Sequence, residues 1–219
     1  MFSRAALNLG AEVISFDYDP DSVATTRETL QSTDSERWHA EQGDVTDARY
    51  MSTLGEYDYV YCWGVAHHTG DLWGAFRNVC DSVAPGGKVC IGLYNHVART
   101  NRSWNTERAI QLKKTYNRLP SPLRPLLVGL WSTLALAYRW KNQREKPWDV
   151  IRDYGGQRGM SFWHDMVDWC GGLPFEAATP QDVRSFVDQE LDQFVIERED
   201  IVSVESPTSV NTYTLRHID

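Results

Sequence analysis

Residues 57–95, YDYVYCWGVAHHTGDLWGAFRNVCDSVAPGGKVCIGLYN, hold an apolar strand, a Gly/His loop, an amphipathic helical stripe, a Pro-Gly-Gly turn and a second apolar strand. That order is one βαβ unit, the building block of a parallel sheet covered by helices. In such a sheet ligands sit outside the carboxyl ends of the strands, which is where Gly64–Asp71 falls.

The flanking sequence extends the alternation. Phe2, Ala5, Ala6 and Leu9 repeat at helical spacing up to a stop at Gly10. Glu12–Phe16 reads as a short strand leading to Asp17-Tyr18-Asp19-Pro20, where Asp19 is placed to cap a helix over Pro20–Gln31 and Pro20 to occupy its first turn. Arg37–Gln42 is a weaker strand before Gly43-Asp44-Val45, and Tyr57–Trp63 is a stronger one, rich in aromatic and β-branched residues. Leu72, Ala75, Phe76, Val79 and Val83 form one helical stripe before Pro85-Gly86-Gly87 turns the chain into Lys88–Tyr94, whose VCIGLY run predicts a strand buried on both faces. From His96 to Glu190 the period is helical and Trp-rich, too long for a simple crossover, and it predicts a helical insertion able to cover the ligand face. Gln193–Val204 and Asn211–His217 alternate again as a closing pair of strands.

At 219 residues this makes one α/β domain with an insertion. The net charge of −8 supplies no global field for DNA or RNA, so a small-molecule or protein substrate is favoured. Cys62, Cys80, Cys90 and Cys170 show no C-x-x-C spacing and read as reduced, buried thiols of a cytoplasmic protein, with neither disulfides nor zinc. No secretory signal is visible at the amino terminus. Pro125–Tyr138 is too short an apolar run to span a bilayer and reads as a buried or interfacial helix, which leaves contact with a membrane surface open.

Several strand-end residues carry possible chemistry. The carboxylate of Asp17 is placed to accept from the two hydroxyls of a ribose, although Asp17 and Asp19 also suit helix capping. At Gly43-Asp44-Val45 a carboxylate and a backbone N–H match the donor and acceptor edge of an adenine; a plain turn fits the tripeptide as well. Gly64 allows close backbone approach, and His67 or His68 titrates in the range needed to take a proton from a substrate hydroxyl, the alternative being packing or capping. Metal binding by the adjacent histidines is not expected, since no third ligand is near in sequence. Trp131, Trp140, Trp148, Trp163 and Trp169 are most simply core residues of the insertion, with an aromatic substrate pocket as the alternative. Arg158, His164 and Asp165 are the polar groups there with a possible substrate role, solvated surface being the other reading.

Taken in order, Asp17 after a strand, Gly43-Asp44-Val45, YDYVYCWGVAHHTGD and VAPGGKVCIGLYN resemble the successive motifs of class I S-adenosylmethionine-dependent methyltransferases, most of all small-molecule methylases of the ubiquinone and menaquinone type. The resemblance covers residues 1–95 and the last two strands. It implies S-adenosyl-L-methionine held by Asp17, Tyr18, Asp44, Val45 and Gly64, and no metal. It further implies in-line methyl transfer to a small, apolar or aromatic acceptor, with His68 as base where the acceptor is a hydroxyl or an activated carbon. The family opens with a strand and a D-x-G-x-G loop that this sequence lacks, so the expectation is a truncated chain without the methionine half of the site. The predicted fold is therefore α/β: a Rossmann-like, doubly wound, mostly parallel sheet lacking its first strand. A core over residues 1–95 is followed by a helical insertion or substrate lid over 96–190 and closing strands over 191–219. A nicotinamide-dependent oxidoreductase and a non-catalytic, partner-binding domain are the competing readings.

Overall fold

The computed structural model describes residues 2–33, 35–98, 104–158, 160–202 and 209–218, and divides into two compact units. One comprises residues 1–92, 184–200 and 212–219, and the other residues 93–183 and 201–211.

The first unit opens with α1 (Phe2–Asn8), which ends before Gly10 in the left-handed region at φ 96°. Strand β1 (Val13–Asp17) follows, then α2 (Pro20–Leu30). Asp19 caps α2, its carboxylate accepting from the Asp21 N–H, and Pro20 fills the first turn, where a missing N–H is harmless. Strand β2 (Trp38–Gln42) pairs in parallel with β1, Asp17 opposite Gln42. Helix α3 (Ala48–Leu54) is capped by Asp47, which accepts from Arg49 and Tyr50 N–H groups. Strand β3 (Tyr57–Trp63) has the predicted bounds. It leads through the Gly64–Asp71 loop to α4 (Leu72–Cys80), whose Leu72, Ala75, Phe76 and Val79 are buried.

Val83, read from spacing as the last residue of the helical stripe, instead begins β4 (Val83–Tyr94) and pairs with Tyr57 of β3. Helical spacing failed there because Pro85 cannot continue a helix, while a β-branched residue suits the strand start. Between the Tyr57 and Tyr59 pairs, β4 advances from Val83 to Lys88, so Pro85-Gly86-Gly87 forms a bulge inside the strand rather than a turn before it. Strand β6 (Val210–His217) joins β4, and β5 (Phe194–Asp200) joins β6 antiparallel, giving the order β3-β4-β6-β5 beside the separate β1-β2 pair. Val89, Ile91 and Leu93 of β4 and Tyr213 and Leu215 of β6 lie in the core.

The second unit contains α5 (Thr106–Arg118), α6 (Arg124–Gln143), α7 (Pro147–Arg158) and α8 (Phe162–Gly171), and α9 (Pro180–Glu190) starts within it. Tyr116, Val128 and Cys170 knit α5, α6 and α8, with Leu127, Trp131 and Met166 packed around them. Val150, Tyr154 and Phe162 make a second cluster with Leu136. Trp131 stacks on Trp169 with ring centres 5.0 Å apart, and Trp104 lies 4.6 Å from Trp131. Trp140, Trp148 and Trp163 are exposed, contrary to the expectation that the tryptophans are core, because they lie on helix faces that no neighbouring helix covers.

Candidate functional site

The strand ends of the first unit carry the polar groups. Asp17 closes β1; its Oδ1 accepts from the Asp19 N–H at 2.9 Å, so this carboxylate orients the turn into α2 while its side chain stays exposed to solvent. The neighbouring strand end is tied to it: Gly43 N–H donates to the Asp17 carbonyl at 3.0 Å and Gln42 Nε2 to the Tyr18 carbonyl at 3.0 Å. The Tyr18 side chain itself is solvent-exposed. Asp17, Tyr18 and Gly43-Asp44 therefore lie together across the ends of two adjacent strands.

The loop after β2 is firmly held. Asp44 Oδ1 accepts from both the backbone N–H and the hydroxyl of Thr46, at 2.8 and 2.7 Å, which fixes the carboxyl plane. Val45 is buried, and its carbonyl accepts from Asn78 Nδ2 of α4 at 2.9 Å. Asn78 is itself buried, and the carbonyl it satisfies lies 33 residues away in sequence. Tyr50 packs its ring against Gly43, where any Cβ would stand 2.1 Å from the ring, and its hydroxyl donates to Glu41 at 2.9 Å. Hydrogen bonds from His39 first and Tyr50 second hold the Glu41 carboxyl below the usual range, while burial and the Glu41 charge raise the Tyr50 phenol. Sequence reading missed Tyr50 and Asn78. The signal for Asn78 was a polar residue among the apolar positions of α4.

Gly64 leaves β3 at φ 81°, a left-handed conformation that a side chain disfavours. Its N–H donates to the Gly92 carbonyl at 3.1 Å, and the direction a Cβ would take is open space. Open space over a left-handed glycine at a strand's carboxyl end is the geometry for close approach of a ligand. In the short 3₁₀ turn Ala66–His68, His67 is buried and His68 half-buried, with ring centres 4.6 Å apart.

These groups suit a nucleoside. A carboxylate such as Asp17 could accept from ribose hydroxyls, and the fixed Asp44 carboxylate could accept from an exocyclic amino group. The second unit holds a recess of about 780 Å³ lined by Ser132, Leu136, Ile151, Phe162 and Trp163, with the buried Ser132 hydroxyl lacking a partner among the described residues. The Arg158 side chain lies outside the described residues; His164 bonds to Ser161 at 2.6 Å and Asp165 accepts from Tyr154. Among the described residues no group of three or more His, Cys, Asp and Glu is placed to hold a metal, and no helix is long and apolar enough to cross a membrane.

The sequence profile of the family described as "Methyltransferase domain" matches residues 1–89, the stretch that carries all of these strand ends. Residues 1–89 are thus similar to a methyltransferase domain. An uncharacterised protein of Synechococcus sp., syc1184_c, is 30% identical over 96 residues, covering 43% of this chain and 22% of that protein. PKMT2 from Rickettsia typhi superposes with a TM-score of 0.58 at 10% identity, covering 99% of this chain and 45% of that one. A second PKMT2 structure, in complex with AdoHcy, gives a TM-score of 0.53 at 10% identity over 93% of this chain and 44% of that one. A structure titled for conversion of a disulfide bond into a thioacetal group during echinomycin biosynthesis has a TM-score of 0.51 at 14% identity, covering 98% and 70%. The chain spans less than half the length of syc1184_c and of PKMT2. These likenesses show a mixed α/β, Rossmann-like fold with a mostly parallel sheet.

Proposed function

We propose that this chain is an S-adenosylmethionine-dependent methyltransferase of small molecules, acting in the cytoplasm, and that its strand ends bind the nucleoside part of the cofactor. The observation that carries this reading is the loop after β2. There Asp44 is locked by two bonds from Thr46 and Val45 is held through its carbonyl by Asn78, which fixes a carboxylate acceptor and the next residue's backbone. Asp17 and the turn at Tyr18 are the ribose contact, and Gly64 is where backbone approaches the ligand without a side chain between.

The cofactor supplies a methyl group on a sulfonium, and the protein's share is to orient and bring together the reactants. His68 is the base where the acceptor must lose a proton. The methyl acceptor is a small apolar or aromatic molecule.

Calorimetric titration with S-adenosylhomocysteine tests the reading. Saturable heat from the wild type and its loss in Asp44→Ala support it. A folded chain that gives no heat overturns it.

A further inference from the structure

Helix α6 is 20 residues long and uses only one of its faces for packing. Val128 and Ser132 are buried, while Leu127, Trp131 and Leu136 pack partly against neighbouring helices. The opposite face repeats large apolar residues every fourth position: Leu126 is 69% exposed, Leu130 59%, Leu134 56% and Tyr138 61%. At 3.6 residues per turn that interval makes a ridge along the helix, roughly 18 Å from Leu126 to Tyr138 at 1.5 Å per residue. Scattered exposed leucines are ordinary, but a continuous ridge of four large side chains is a contact surface.

Charge identifies what it contacts. The whole chain has a net charge of −8, yet residues 108–146 hold nine of its 22 Lys and Arg and one, Glu145, of its 30 Asp and Glu, a local net of +8. Arg139 takes Glu145 at 2.7 Å, leaving Lys141, Arg144 and Lys146 exposed around the carboxyl end of α6. Exposed Trp140 and Trp148 stand among them, with the Lys146 ammonium 5.9 Å from the Trp148 ring centre. Leucines on one face, Tyr and Trp near its end and lysines and arginines beside them form the pattern of a helix lying in the plane of an anionic bilayer, with rings at headgroup depth and basic side chains reaching the phosphates. The same helix is not apolar enough to span.

We propose that the Leu126–Tyr138 face of α6, with Lys141, Arg144 and Lys146, docks the protein on an anionic phospholipid surface. A second copy of the chain would set Lys141, Arg144 and Lys146 against their like, which disfavours self-association there.

Vesicle flotation tests the proposal, comparing phosphatidylcholine alone with phosphatidylcholine containing 30 mol% phosphatidylglycerol (~30%, a level that gives appreciable surface charge). The wild-type chain floats with the anionic vesicles and at least about tenfold less with neutral ones, and high salt releases it. Leu130→Asp/Leu134→Asp and, separately, Lys141→Glu/Arg144→Glu each cut the bound fraction by about tenfold or more while leaving the far-ultraviolet circular dichroism unchanged. These side chains are exposed, so the variants fold, and the second leaves every apolar residue in place. Equal flotation with both vesicle types, no flotation, or variants that float like the wild type overturn the proposal. So does a wild-type dimer in size-exclusion chromatography that Leu130→Asp/Leu134→Asp converts to a monomer, which would assign the ridge to a second copy.

Discussion

Lys113 gives the most direct test of packing in the helical unit. Its side chain is 1% exposed, its ammonium donates to the Trp169 carbonyl, and it stands 4.7 Å and 4.9 Å from the ring centres of Trp169 and Phe175. Burial draws its pKa from 10.5 down to about 8, against the opposing pull of Cys170 and Asp168. Because the charged form costs the native state and not the unfolded one, the penalty is complete below pH 8 and gone above 10.5. Stability therefore rises with pH across that interval, where the unfolded chain binds more protons. Linkage with these two values gives a gain on the order of 1 kcal/mol between pH 7 and 9, most of it between pH 8 and 9. Above pH 9 the trend is opposed by Cys62 and Cys170, whose thiols burial pushes up to about 11. Lys113→Met isolates the lysine up to pH 9, since burial keeps the Cys62 and Cys170 thiols protonated in both native states there. At pH 7 the variant escapes a charge-burial cost of roughly 3 kcal/mol but forfeits a hydrogen bond to a buried carbonyl and two cation–π contacts of comparable total, so its stability changes little. What it loses is the slope. Urea unfolding followed by tryptophan fluorescence, which reports on the Trp104–Trp131–Trp169 stack beside the lysine, should show the wild-type midpoint gaining about 0.4 M or more on the variant from pH 7 to 9. Midpoints that move in parallel refute the reasoning.

Three further outcomes follow from the strand-end site. Asp44→Asn keeps an oxygen for Thr46 but turns an amide N–H₂ toward the position proposed for the adenine amino group, and calorimetry should show S-adenosylhomocysteine binding weakened by about 10- to 100-fold, the worth of one charged hydrogen bond. Asn78→Ala strips the buried Val45 carbonyl of its donor and should cost about 1–3 kcal/mol in chemical unfolding, with weaker ligand binding because the Val45 amide loses its anchor. Gly64→Ala meets no steric neighbour but forces an L residue to φ 81°, so a loss of about 1–2 kcal/mol is expected in thermal or urea unfolding.

The fold was legible where local chemistry and tertiary role agree. Asp19 and Pro20 announce α2 because capping is satisfied within one turn, and Tyr57–Trp63 announces β3 because aromatic and β-branched residues suit a pleated strand. Legibility failed where one pattern served two masters. Val83 continues the helical spacing of Leu72, Ala75, Phe76 and Val79, yet its pairing with Tyr57 places it in a strand, and the local signals against the helix are its own β-branching and Pro85 two residues on. The short α3 was only faintly visible at seven residues, although Asp47 was a sound cap for it. Trp140, Trp148 and Trp163 follow the rule that large aromatics are buried only if another element covers their side of the helix, which periodicity does not reveal.

The candidate site divides along the same line. Asp17, Asp44 and Gly64 stand out because a strand end is a position that sequence order itself defines. Asn78 did not, because it acts on a carbonyl far away in the chain, 33 residues distant. This difference has a physical consequence for the site. The groups proposed to touch a nucleoside are held by short-range bonds, Asp17 to Asp19 and Asp44 to Thr46, so their local shape survives in a short stretch of chain. The amide of Val45 is different: its place depends on α4 being packed, through one buried side chain. Partial unfolding of α4 should therefore release the amide donor before it disturbs either carboxylate, so the adenine contact is the part of the site most sensitive to stability, and the ribose contact at Asp17 the least.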